Sequence, residues 1–149
     1  MLGFMEKRYI RDGRAPLPEN EMTSRVMSSI HAKNTTPELK LRKALWARGM
    51  SGYRLHWKKV PGRPDITYPG KKLAVFVNGC YWHRCPLCNP SSPKTHKVFW
   101  KNKFKNNIER DKRKTQELQN AGWNVLTIWE CQIRNNLQEC VNKLKDIAK

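Results

Sequence analysis

The stretch LAVFVNGCYWHRCPLC, residues 73–88, decides how this chain is read. Its opening residues, from Leu73 to Val77, form a short apolar run rich in Val and Phe, the composition of a buried strand. Asn78-Gly79 stops that strand. The next nine residues carry three cysteines (Cys80, Cys85, Cys88), His83 and the aromatics Tyr81 and Trp82. The order suits a strand end that serves as a platform. A metal knot fixes the backbone there, and the histidine and rings between its ligands are aimed at a substrate.

Cys80-x4-Cys85-x2-Cys88 supplies three thiolates within nine residues. Zn²⁺ takes four soft ligands in a tetrahedron, and thiolates close in sequence lose little chain entropy in forming it. Cys131 is the expected fourth ligand, because it ends the apolar run WNVLTIW (residues 123–129), a candidate sheet neighbour of residues 73–77. His96 is the alternative fourth ligand. Cys140 falls on the apolar stripe of a helical segment and reads as a small buried hydrophobe. Four protein ligands leave no open position for a substrate, so such a zinc site is structural and the chemistry lies elsewhere.

The charge points to the partner. Thirty Lys+Arg stand against 12 Asp+Glu in 149 residues, a formal net charge of +18, which suits a polyanion such as nucleic acid. No apolar stretch approaches the length of a bilayer span, so a membrane partner is not expected. The opening residues contain no continuous apolar run of a secretory signal, and clustered cysteines in such a chain suggest metal and a reducing compartment.

Residues 1–20 are expected to be a flexible basic tail, and residues 21–149 one folded domain. A short helix over residues 22–30 would place Met22, Val26, Met27 and Ile30 on one side. Thr36 is read as the cap of the next helix, with Pro37 at its first position, Glu38 in its first turn, and Leu41, Ala44 and Leu45 at helical spacing. Residues 53–57 suggest a short strand. Pro61-Gly62-Arg63-Pro64 is a rigid turn delivering Asp65 to a strand over residues 65–68, and Pro69-Gly70 turns that strand into a hairpin with residues 73–77. Residues 99–120 read as one long helix with Trp100, Phe104, Ile108, Thr115 and Leu118 spaced for burial, ended by Gly122. A strand over 123–129 and a helix over 133–147 complete an α-α-β-β-β-α-β-α order, a small α/β sandwich around a mixed sheet.

Asp65, His83 and Asp111 are the candidates for chemistry. A carboxylate at a strand start can hold Mg²⁺, which keeps most of its waters and takes phosphate oxygens as ligands; the plain alternative is a turn aspartate capping local amides. A neutral imidazole at position 83 can take a proton from water, and a carboxylate on its other nitrogen would set the tautomer. Asp111 is the candidate for that carboxylate, against a surface salt bridge in its run of charges.

Taken together, PGRPDI, the VNGCYWHRCP run, FWxxKxxxNxERD (residues 99–111) and AGWNVLTIWEC (residues 121–131) resemble the very-short-patch-repair mismatch endonucleases, of the PD-(D/E)xK nuclease superfamily. The resemblance covers about residues 21–131. It implies a restriction-endonuclease-like α-β-β-β-α-β sandwich with a zinc knot, and an enzyme that nicks one strand of mismatched double-stranded DNA, at T:G from deaminated 5-methylcytosine. By it, Asp65 is the Mg²⁺ ligand with the Val77 backbone carbonyl, His83 the general base, Asp111 its partner and Glu38 a supporting acid. Cys80, Cys85, Cys88 and Cys131 hold Zn²⁺. Tyr81, Trp82 and Trp100 match rings that wedge into the duplex, and Met27 a residue inserted from the N-terminal segment. The alternative for Trp100 is helix core. The resemblance further implies a monomer in the cytoplasm, associated with the nucleoid when on DNA, with mismatch-repair proteins and a cognate cytosine methyltransferase as partners.

Two departures stand out. The family carries a histidine or an acid where this chain has Asn78, and an amide neither donates nor accepts a proton near neutral pH. A histidine often fills the position of Cys85, and Cys88 comes one residue later than in some relatives. The rival readings are a zinc-containing DNA-binding protein without catalysis and a restriction-type nuclease cutting intact duplex. The Asp65, His83 and Asp111 set argues against the first. The absence of a Glu-x-Lys pair on the 73–77 strand argues against the second.

Overall fold

The first helix, α1 (Thr36–Ala47), is capped one residue earlier than expected: Thr35, not Thr36, is the N-cap. A capping hydroxyl must reach an amide two or three residues on, and Thr35 Oγ1 accepts from Glu38 N at 3.4 Å. Proline lacks an N–H and fits either of the first two helical positions, so Pro37 did not discriminate between the two threonines. The computed structural model describes residues 34–148. The N-terminal tail, the helix expected over residues 22–30 and Met27 lie outside the described residues.

Three strands follow. β1 (Arg54–Leu55) is shorter than the five residues expected, because His56 adopts a left-handed backbone (φ 47°) that ends regular pairing. β2 (Ile66–Tyr68) and β3 (Leu73–Asn78) form the expected hairpin, in antiparallel register Ile66↔Val75 and Tyr68↔Leu73. The turn before β2 is held tightly: Gly62 has φ 81°, and a Cβ there would stand 3.0 Å from the Lys114 side chain. A short helix, α2 (Cys80–His83), follows β3 after Gly79, in residues to which the sequence alone assigns no secondary structure.

The long helix α3 (Lys97–Asn120) carries the chain to β4 (Asn124–Trp129), which pairs parallel to β3. A parallel pair needs a long crossover, and α3 supplies it. The sheet order is β1-β2-β3-β4, mixed as expected. The last helix, α4 (Glu130–Ile147), begins three residues before its expected start, because Gln132 Oε1 accepts from Trp129 N at 2.9 Å and caps the first turn. It breaks at Asn136 (φ −153°, ψ 73°), whose Oδ1 then accepts from Glu139 N and caps the second segment.

The core follows the period-2 alternation of β3. Leu73, Val75 and Val77 face α1 and α4, and pack with Leu41, Leu45, Ile66, Ile128, Val141 and Leu144. Cys140 is buried in this core, as the stripe it occupies requires. Along α3, Phe104 and Leu118 are buried while Trp100, Ile108 and Thr115 are only half-buried. Among the described residues no helix is long and apolar enough to cross a membrane.

Candidate active site

The parallel register gathers the cysteines. Asn78 pairs with Trp129, so Cys80 and Cys131 each stand two residues beyond the same rung. Cys131 N donates to Cys80 Sγ at 3.3 Å, and Cys85 Sγ lies 3.7 Å from Cys131 Sγ. With Cys88, the four sulfurs all fall within 4.8 Å of one another; His96 is not among them. Thiolates bound about 2.3 Å from a tetrahedral Zn²⁺ stand roughly 3.8 Å apart, so the donor set and its spacing fit zinc. Burial pushes the Cys85 thiol up, but amide hydrogen bonds from Cys88 and Leu87 more than offset it and leave this thiol below its ordinary value. Burial raises Cys80 and Cys131.

A second group of donors sits beside the hairpin. Asp65 lies just before β2, and the hairpin register brings it alongside the end of β3, where its Oδ2 accepts from Val77 N at 2.7 Å. Glu38 projects from the first turn of α1 on the same stripe as Leu41 and Leu45, and is 2% exposed. His56 stands between them, its Nε2 2.9 Å from Glu38 Oε1 and its Nδ1 3.8 Å from Asp65 Oδ1. The close approach to Glu38 meets ion-pair distance but not hydrogen-bond alignment. Ligand atoms of the three residues all lie within 4.8 Å of one another.

Burial raises the Asp65 carboxyl from its ordinary 3.8 to about 6; the Val77 amide opposes this, Glu38 adds to it, and His56 and His83 act against it. Burial also raises Glu38, against the pull of Arg42, whose Nη1 is 3.9 Å away. Carboxylates so destabilised, gathered with a nitrogen donor, fit a divalent cation.

α2 turns His83 toward α3. His83 Nδ1 and Asp111 Oδ2 are 2.6 Å apart. With Nδ1 donating to the carboxylate, Nε2 is the nitrogen left to accept a proton. Asn107 fixes this arrangement: its Nδ2 donates to Trp82 O at 3.0 Å and its Oδ1 accepts from Arg110 at 2.7 Å. It is buried, an amide on an otherwise apolar stripe.

The rings gather on the same side of α2. Tyr81 meets Trp82 (5.0 Å) and Phe104 (5.5 Å) edge to face, and Trp100 lies 5.7 Å from Trp82 and 5.8 Å from Phe104. Arg84, left-handed at φ 53°, lays its guanidinium 4.5 Å over Phe104 and donates to the Pro90 and Ser91 carbonyls. Such contacts contribute about 0.5–1.5 kcal/mol each beyond burial and hold Tyr81, Trp82 and Trp100 half-exposed in one platform. Beside it, Lys94, Lys97, Lys101, Lys105 and Lys112 line an open groove of about 840 Å³.

Sequence reading gave no role to His56, Asn107 or Arg84, although the last two lie within the FWxxKxxxNxERD and VNGCYWHRCP runs. Asn107 carried a signal, a polar residue on the buried stripe of α3. His56 carried none along the chain, because only the β1–β2 register sets it beside Asp65.

Comparison with known proteins gives the family. The profile of the family described as "DNA mismatch endonuclease Vsr" matches residues 18–88. The type II nicking enzyme V.NaeI of Lentzea aerocolonigenes is 38% identical over 90% of this chain and 81% of its own. The DNA mismatch endonuclease Vsr of Escherichia coli (strain K12) is 33% identical over 80% and 76%. Among solved structures, the catalytic domain of the homing endonuclease I-Bth0305I superposes with a TM-score of 0.52 at 28% identity, covering 76% of this chain and 94% of that one. The chain belongs to the Vsr family of DNA mismatch endonucleases and is a DNA-cleaving hydrolase.

Proposed function

We propose that this enzyme nicks one strand of duplex DNA at a mismatch, T:G from deaminated 5-methylcytosine, in very short patch repair in the cytoplasm. The observation that carries this reading is the His83–Asp111 pair at 2.6 Å, in a chain that also carries the half-buried Asp65 carboxyl and the ring platform. The names of the relatives, which include both mismatch and nicking enzymes, support the same reading.

Asp65, the Val77 carbonyl and Glu38 would hold Mg²⁺, and the four thiols Zn²⁺. The catalytic cation supplies charge stabilisation to the phosphate when bound. The rest is the work of this chain. Asp111 holds the His83 Nδ1 proton, so that Nε2 takes the proton of the attacking water. Tyr81, Trp82 and Trp100 offer ring faces to a base step already weakened by mispairing, the cheapest step to open. Cys80, Cys85 and Cys88 after β3 and Cys131 at the start of α4 would share that Zn²⁺, which would tie the two segments together beside the ring platform. Met27 would enter the duplex from the N-terminal segment. Asn78 cannot protonate the leaving group, which leaves that proton to solvent.

Incubating the enzyme and Mg²⁺ with end-labelled duplexes carrying each mismatch, beside a paired control, tests the proposal directly. Nicking of T:G above all others is expected. Equal cutting of the paired duplex would favour the restriction-type reading, and no cutting of any duplex the binding-protein reading.

His83→Ala is expected to slow single-turnover cleavage by about 10²- to 10⁴-fold, the contribution of a positioned base. Asp111→Asn should lower the rate in the same direction, because an amide can hold the imidazole in the wrong tautomer. A rate unchanged in both would remove His83 from the mechanism.

Binding should weaken steeply with salt, since each neutralised phosphate adds about −0.9 to the log–log slope. Replacing Lys101 and Lys105 by alanine should shrink that slope by about 2 without altering mismatch preference. Titrations at several salt concentrations would read both values, and an unchanged slope would place the phosphates elsewhere.

A further inference from the structure

We infer that the lysine-rimmed groove beside α3 is a single-strand site, which holds the strand end freed at the nick while the ring platform holds the duplex. It rests on the nicking reading and adds to it a place for the product strand.

The groove is built rather than incidental. One stripe of α3 forms its inner wall, and residues 92–94 form its outer wall. That outer wall is held in place by Arg84, which lies 4.5 Å over Phe104 and donates to Ser91 O at 3.3 Å and to Ser92 Oγ at 3.4 Å. The space between the walls, about 840 Å³, falls in the ~300–1,000 Å³ range of ligand pockets. It admits the bases of one strand but not a paired helix.

The lining decides what enters. Pro93, Trp100 and Ile108 are half-buried and give the groove an apolar floor above the buried Phe104. Lys97, Lys101 and Lys105 stand exposed along it at i, i+4 and i+8, a step of about 6 Å along the helix axis. Among the described residues that line it, Glu109 is the one acid. A row of cations beside a stackable ring suits a single strand, with phosphates on the lysines and unpaired bases on the ring. An intact duplex keeps its bases paired and leaves the apolar floor uncovered. An acidic peptide, the competing occupant, would satisfy the lysines alone. Position supplies the strand. Trp100 lines the groove and also lies 5.7 Å from Trp82 in the platform, so a strand cut and unstacked there has its free end at the groove's edge. Lys101 and Lys105, which meet phosphates of that strand in the duplex, keep them once it is freed.

Anisotropy titration of the zinc-loaded full chain, without Mg²⁺, compares a short labelled thymidine oligomer with an abasic oligomer of the same length and charge. The thymidine oligomer should bind about tenfold more tightly or better, the effect of stacking at least one base. Its log–log salt slope should shrink by about 1.4 when Lys101 and Lys105 are both replaced by alanine, at about 0.7 per phosphate of a single strand. A T:G duplex nicked in advance, with a photoreactive thiothymidine beside the nick, should crosslink to residues 92–94 or 105–108, and the same duplex without the nick should not. Equal binding of the two oligomers overturns the proposal, as do crosslinks confined to other residues. Polyglutamate that displaces the thymidine oligomer better than abasic DNA of equal charge assigns the groove to an acidic peptide and overturns it too. No cleavage is read in these assays, so their failure leaves the nuclease reading standing; that reading fails separately if Asp65→Ala still cuts.

Discussion

Asp65→Ala is expected to reduce single-turnover nicking by about 10³-fold or more while duplex binding survives. Charge stabilisation by a catalytic cation is worth several kcal/mol, and each ~1.4 kcal/mol is tenfold in rate. Binding survives because the lysine groove along α3 and the ring platform do not involve this carboxylate. The local structure should tolerate the change, since the loss is one hydrogen bond to Val77 N in exchange for relief of a buried charge. Cleavage of a labelled T:G duplex and a gel-shift titration together read the two quantities. Undiminished cleavage would put the active site in the wrong place.

The same carboxyl predicts a pH dependence of defined sign. Its folded value is raised to about 6 from 3.8, so protons compete with a cation for Asp65 below about pH 6. Cleavage at limiting Mg²⁺ should therefore rise as pH climbs through about 6, and the rise should flatten when Mg²⁺ is saturating. Without metal the linkage acts on stability. A carboxyl with a raised folded value stabilises the fold most at low pH, and that contribution is lost as pH rises from about 4 to about 6. Added divalent cation should return stability above pH 6, measurable as a shift in melting temperature.

Cys131→Ser is expected to abolish cooperative folding at ordinary temperature. Structural zinc contributes about 10–16 kcal/mol of apparent binding energy, comparable to the ~5–15 kcal/mol of a domain's whole stability. Cys131 is the one thiol of the four that ties α4 to the residues after β3, so its loss opens the knot across the parallel pair. Cys140→Ser should keep the metal and melt cooperatively, at a cost of about 1–3 kcal/mol for a buried hydroxyl. Elemental analysis and thermal melts check both. A folded, zinc-free protein, or a Cys131→Ser variant melting like the unmutated chain, would remove zinc from the account.

What could be read along the chain was what short-range physics writes there. The apolar run at Leu73 fixes a buried strand because period and composition are local properties. Pro-Gly-Arg-Pro makes a turn through its own restricted dihedrals, and Gly122 ends α3 at φ 87° because few other residues tolerate that conformation. Three thiols within nine residues mark a cysteine cluster with no knowledge of the fold.

Tertiary structure decided the rest. Cys131 was expected ahead of His96 only as the end of a candidate sheet neighbour; the parallel register set Asn78 against Trp129 and carried Cys131 to Cys80. Glu38 looked like an acid at a helix start; packing of α1 on the sheet buried it, and only then did it become a costly group in need of a counter-charge. His56 was invisible, a lone histidine after a two-residue strand, until pairing of β1 with β2 placed it between two carboxylates. The reason is the same in each case. Strand register and helix docking are chosen by the summed burial of many distant side chains, and no window of sequence contains that sum.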